Sequence, residues 1–193
     1  MKIRFFVVVL TILVPFSSCK EKKKENNVLE RETFQTVTID GNYKIEVPKF
    51  MTGTTGLNEE ASLQFQSLIK EAYLLVIDEP KAGFEEVYRD LGQFDDNLSI
   101  IQNYRVARMK LLSRSAEFIN KPKATHTIIN GLDAETLELD AQVDGVPEEI
   151  SYFLTFVEGD DRVYMIMAWT LKNKKIAHKK TFKTIAESFQ LIN

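Results

Sequence analysis

The chain encodes an α+β fold, a twisted antiparallel β-sheet sandwiched by α-helices, and three observations predict it. First, the stretch Glu149–Thr170, EISYFLTFVEGDDRVYMIMAWT, reads as two strands joined by the tight turn Glu158-Gly159-Asp160-Asp161. Its second arm is apolar on both sides, with Val163, Met165, Met167 and Trp169 alternating against Tyr164, Ile166 and Ala168. Side chains alternate across a strand, so this arm belongs mid-sheet with cover on each face. Second, the turn signals Gly41-Asn42, Asn130-Gly131 and Asp144-Gly145 separate other strands, and hairpins pair antiparallel. Third, Asp95–Phe118 and Lys174–Ser188 repeat their apolar residues at helical spacing.

In chain order, Thr33–Asp40 and Tyr43–Val47 form a hairpin about Gly41-Asn42, and Pro48 ends it. Lys49–Glu60, rich in Gly, Thr and Asn, reads as a loop. Ala61–Gln66 alternates Leu63 and Phe65 with Ser62, Gln64 and Gln66, the pattern of a half-buried strand. Glu71–Asp78 is apolar on both faces. Pro80 and Gly83 break that pattern before a short helix, Phe84–Leu91.

Asp95–Phe118 reads as the longest helix, with Asp95, Asp96 or Asn97 as its cap. Its apolar residues fall in two adjoining arcs, which lays it flat on a sheet; Asn103 and Lys110 fall on the wet side. Lys121-Pro122 stops it. Thr125–Ile129 and Glu135–Val143 are strands. Lys174–Ser188 is the closing helix, with His178, Phe182, Ile185, Ala186 and Phe189 inward and its lysines in water.

The amino terminus has a different character. Lys2 and Arg4 precede a 12-residue apolar run, Phe5–Phe16, interrupted only by Thr11. A bilayer core of ~30 Å needs ~20 apolar residues, so the run fits a secretory signal. Ser17-Ser18-Cys19 then resembles a bacterial lipoprotein signal, in which small residues precede a cysteine that is lipidated; Phe16 departs from the usual aliphatic residue. Cys19 is the sole cysteine, so no internal disulfide is available, and acylation accounts for its presence. Lys20–Glu32 is mostly charged and reads as a flexible tether. The expected organisation is a signal over 1–18, a lipidated Cys19 with its tether over 19–32, and one domain over 33–193.

That domain holds 18 basic against 24 acidic residues, a net charge of −6, a poor match for nucleic acid. His126 and His178 stand alone, and HExxH, paired cysteine, Gly-x-Ser-x-Gly and phosphate-loop patterns are all missing from the sequence. Adjacent acids such as Asp160-Asp161 suit turn chemistry better than a calcium site. Arg105 and Arg108 are the oddity. They lie three apart inside the apolar arcs of the long helix, where a guanidinium needs a partner. Either each pairs with an acid such as Asp78 or Glu79 or snorkels at the helix edge, or they form a pocket for an anion or acidic peptide.

Five pieces carry a family resemblance: Tyr43-Lys44-Ile45-Glu46-Val47-Pro48, Ala61-Ser62-Leu63-Gln64-Phe65, Glu71–Glu79, Ala168-Trp169-Thr170 and Ile185-Ala186-Glu187-Ser188-Phe189. Together they resemble the Mog1/PsbP/DcrB-like group over nearly all of Thr33–Asn193. The resemblance implies an αβα sandwich and a binding or assembly role, with no shared active site. The expectation is a membrane-anchored envelope lipoprotein, periplasmic or surface-facing. It has no catalytic residue, no metal and no cofactor, and it binds a protein or small ligand. Two alternatives are an envelope hydrolase built on scattered acids with Tyr104 or Tyr164, and a metal-holding protein using acidic turns.

Overall fold

The protein is described by a computed structural model at residues 33–39 and 41–192. The expected signal, Cys19 and the tether lie outside the described residues.

The hairpin at the centre of the sequence pattern is also the centre of the structure. Its arms are β9 (Ile150–Glu158) and β10 (Arg162–Leu171), registered with Met165 opposite Phe156. On its other side β10 pairs antiparallel with β5 (Ala72–Pro80), Met165 facing Ile77. Beyond β5 come β4 (Ala61–Ser67) and the two-residue β3 (Thr52–Gly53). Beyond β9 comes β8 (Leu132–Val143), whose far edge is shared by two short strands. β6 (Ala116–Phe118) pairs with Ala141–Val143, and β7 (Thr125–Ile129) pairs with Leu132–Thr136. Asn130 and Gly131 both take positive φ, as the tight turn from β7 to β8 requires.

Because β10 is apolar on both faces, it feeds two cores. Leu74, Val76, Tyr164, Ile166 and Ala168 face one; Leu75, Ile77, Val163, Met165 and Phe156 face the other. The second is covered by α1 (Lys81–Asp90) and α2 (Ile100–Leu112), through Phe84, Ile101, Tyr104 and Ala107. The first is covered by α3 (Lys175–Glu187), through Phe182 and Ile185, after a 3-10 turn at Lys172–Lys174.

One expected sheet is in fact two. β1 (Phe34–Ile39), β2 (Tyr43–Pro48) and β11 (Gln190–Leu191) form a separate three-stranded sheet. The hairpin β1–β2 has one strongly apolar side, Tyr43, Ile45 and Val47, and it lays this side over the large sheet rather than extending its edge. Tyr43 contacts the rings of Tyr164 and Phe189.

Other boundaries move for local reasons. The long helix is shorter than its apolar period suggested. Its cap is Ser99, whose Oγ accepts from the Gln102 N–H at 3.3 Å, while the Gln102 side chain accepts from the Ser99 N–H at 3.0 Å. Asp95–Leu98 is instead a loop held by Asn103, which accepts from the Asp95 N–H and donates to the carbonyls of Asp95, Leu98 and Ser99. Asn103 is therefore buried, not wet. At the far end the chain leaves the helix at Ser113, because Ala116 and Phe118 pair with β8. Gln64, expected to face water, is buried and holds the preceding loop through the Leu57 and Asn58 N–H groups. α1 starts directly after Pro80, earlier than expected, with Gly83 inside it.

Candidate functional site

The two arginines singled out from the sequence both have carboxylate partners. α2 lies on the sheet so that Arg105 reaches Glu135 of β8, Nε to Oε2 2.6 Å, and Glu135 is buried. Arg108 is 10% exposed. It contacts Glu79, donates to Glu60 at 3.1 Å and to the Tyr104 hydroxyl at 3.2 Å, and lies over the Tyr104 ring. Burial disfavours the charged guanidinium, but Tyr104 and Glu79 outweigh it and hold the Arg108 pKa above its ordinary value. Burial likewise raises the Tyr104 hydroxyl. Of the two acids expected as partners, Glu79 takes Arg108, while Asp78 pairs with Arg162 at 2.6 Å. An anion arriving at Arg105 or Arg108 must displace a carboxylate already in contact.

The other singled-out groups also have structural work. Tyr164 donates to Asn42 Oδ1 at 2.6 Å, and burial pushes its pKa up to about 12. With Tyr104 wholly buried, neither phenol reaches solvent as a catalytic group would. His178 is buried, stacks on Phe182, and places Nε2 3.0 Å from the Lys70 carbonyl. His126 is exposed, 3.9 Å from Asp133. Among the described residues no group of three or more His, Cys, Asp or Glu side chains converges as a metal site would. In the Asp160-Asp161 turn, the Asp161 carbonyl accepts from the Lys81 N–H. Gly159 is needed there because a Cβ would lie 2.8 Å from the Tyr164 ring.

One hollow among the described residues is one that the sequence did not announce. α3 packs over the middle of its sheet face and reaches β8 through the ion pairs Lys175–Asp140 and Lys179–Glu138. A cleft of about 730 Å³ opens where the helix ends its cover. It runs from Thr125 and Thr127 on β7, past Thr136 on β8 and Phe153 and Thr155 on β9, to Ile166 and Ala168 on the central strand, with Phe182 as its roof. Such a volume falls in the range of small-ligand sites. Lys121, Lys123, Lys179 and Lys183 line its rim. Lys121-Pro122 read in sequence only as a helix stop, and Lys179 and Lys183 as part of a wet helix face. No local signal joins residues so far apart in the chain.

No family model matches the chain, and no curated protein matches it. Solved structures do. The cyanobacterial PsbP (CyanoP) of Synechocystis superposes with a TM-score of 0.57 at 18% identity, over 83% of this chain and 93% of that one. LpqN of Mycobacterium tuberculosis, described as involved in cell envelope biogenesis, superposes at 0.52 and 11% identity, over 87% and 96%. The Ran-binding protein Mog1p of Saccharomyces cerevisiae gives a weaker 0.49 at 10% identity, over 83% and 96%, and adds nothing to the argument. The fold is thus PsbP-like, α+β with antiparallel sheets and three helices among the described residues; the α+β class is what the sequence pattern predicted, and the PsbP-like likeness is what the resemblance implied. At these identities the likeness is one of fold alone.

Proposed function

We propose that the protein is a lipid-anchored accessory module of the cell envelope whose folded domain binds a ligand rather than transforming one. The observation that carries the binding reading is the cleft beside α3. It is large enough for a small molecule, and it is lined by apolar side chains, threonine hydroxyls and lysines. The singled-out tyrosines and arginines are occupied in structural contacts, which takes them away from the role of nucleophile or base. The anchor rests on Lys2, Arg4, the apolar run Phe5–Phe16 and Ser17-Ser18-Cys19. The involvement of LpqN in cell envelope biogenesis agrees with an envelope setting.

Two measurements test this reading. Cys19→Ser is expected to move the protein from the membrane to the soluble fraction and to abolish palmitate labelling. A variant that still sediments and still labels refutes the anchor. Native mass spectrometry of the full chain, released from host membranes, is expected to show a bound small molecule that Phe153→Arg removes. An adduct that survives Phe153→Arg places the ligand elsewhere.

A further inference from the structure

The class of ligand follows from how polarity is distributed along the cleft. Its lining crosses four adjacent strands, β7, β8, β9 and β10, which at ~4.8 Å per strand gap makes it about 14 Å long. The inner end is apolar: Phe153, Ile166, Ala168 and Phe182. The outer end is cationic. Lys179 and Lys183 are paired with Glu138 and Glu187. Lys121 and Lys123 are exposed and have no carboxylate partner among the described residues. The seat is therefore elongated across the strands, mostly apolar within apart from the Thr136 and Thr155 hydroxyls, and positive at its mouth.

We propose that the cleft takes a single-chain anionic amphiphile, its acyl chain lying under α3 and its acidic head between Lys121 and Lys123. This rests on the cleft being the ligand seat. The floor itself favours an acyl chain over a peptide. A peptide's backbone must find hydrogen-bond partners along its whole length, and among Phe153, Ile166, Ala168 and Phe182 the inner cleft offers little beyond the Thr155 hydroxyl; an acyl chain has no polar group to satisfy. The unpaired lysines select charge at the other end. Lysine is a point charge on a flexible stem, so the mouth accommodates a compact acidic head without demanding the forked geometry an arginine would impose.

The test uses the full chain in zwitterionic vesicles and two photoreactive probes of equal length, a diazirine-bearing dodecanoate and the matching alcohol, each below its micelle concentration. The carboxylate is expected to label peptides containing Phe153, Ile166 or Phe182. The alcohol is expected to label them about tenfold less, as is the carboxylate on the Lys121→Ala/Lys123→Ala double variant. Lys172→Ala, on a surface away from the cleft, is expected to change nothing. Equal labelling by both probes overturns the selection for an anion while leaving the cleft as a seat. Labelling scattered over the surface, with the cleft peptides unmarked, removes the cleft as the seat and the amphiphile with it. An acidic peptide that displaces the carboxylate from the cleft at lower concentration than dodecanoate does also overturns the proposal.

Discussion

The two faces of the large sheet are built from alternate residues of the same strands, yet they end differently. Under α1 and α2, Leu154, Phe156 and Met165 meet Tyr104 and Phe84, and the polar groups at the edge are tied off by Arg105–Glu135 and Arg108–Glu79. Under α3, the equivalent alternate residues Phe153, Thr155 and Ile166 meet one helix that covers only part of the area, and a hollow remains. Among the described residues two helices close one side, while on the other a single helix, tied to β8 by Lys175–Asp140 and Lys179–Glu138, leaves part of the sheet ajar. The closed side specifies the fold, and the open side has room for a guest.

Breaking the closed side should produce the largest effects. Phe156→Ala removes a fully buried ring from a filled layer and is expected to cost about 3–5 kcal/mol. Phe182→Ala, an equally buried ring that roofs the hollow, should cost at least about 1 kcal/mol less, because part of the space it would vacate is already empty. Urea denaturation of both variants measures the gap, and equal losses would erase the contrast between the faces.

Next in size is Arg108→Ala. It leaves Glu79 and the buried Tyr104 hydroxyl without their partner, for an expected loss of about 2–3 kcal/mol. Urea midpoints read this loss too; one below about 0.5 kcal/mol would mean that the arginine is not holding the layer together.

A smaller effect tests the α3 side by acid. Asp140 on β8 is partly buried, which raises its pKa. Hydrogen bonds from Lys175 at 2.8 Å and Ser151 at 2.6 Å outweigh that and leave it below the usual carboxylate value. The unfolded chain then binds the proton more readily than the folded one. The stabilisation is therefore complete above the ordinary aspartate pKa of about 3.9 and drains away as pH falls from there through the lowered folded value. Asp140→Asn is expected to flatten the stability profile in that window, read as denaturation midpoints at pH 7 and pH 3. Smallest of all, Lys121→Ala with Lys123→Ala should change stability by less than about 0.5 kcal/mol, as exposed residues without partners do. A thermal melt checks it.

What could be read from the sequence divides along the same line. β10 announced its central place because both of its faces are apolar, and α3 announced its inner side through His178, Phe182, Ile185 and Ala186. Arg105 and Arg108 stood out because charge inside an apolar arc demands company, and Glu79 was named beforehand as a partner. Glu135 was not, since its pairing depends on how α2 lies over β8. The extent of α2 was overread because Ala116 and Phe118 continue a helical period by chance; pairing with Val143 and Ala141 decided otherwise. The second sheet was illegible because β11 supplies only two residues to it. The cleft was illegible because its mouth and floor come from five separate elements.

The short pairing of Leu191 with Tyr43, and of Gln190 with Lys44, has a consequence for how the molecule comes to be. It ties the end of the chain to its first hairpin, and Phe189 just before it fills the space against Tyr43 and Tyr164. A polypeptide synthesised amino end first cannot complete this clasp until Gln190 and Leu191 have emerged. Until then β2 lacks both its neighbour and part of its packing. The three-stranded sheet is thus a late closure in any folding that begins at the amino end, because its two outer strands come from opposite ends of the folded domain.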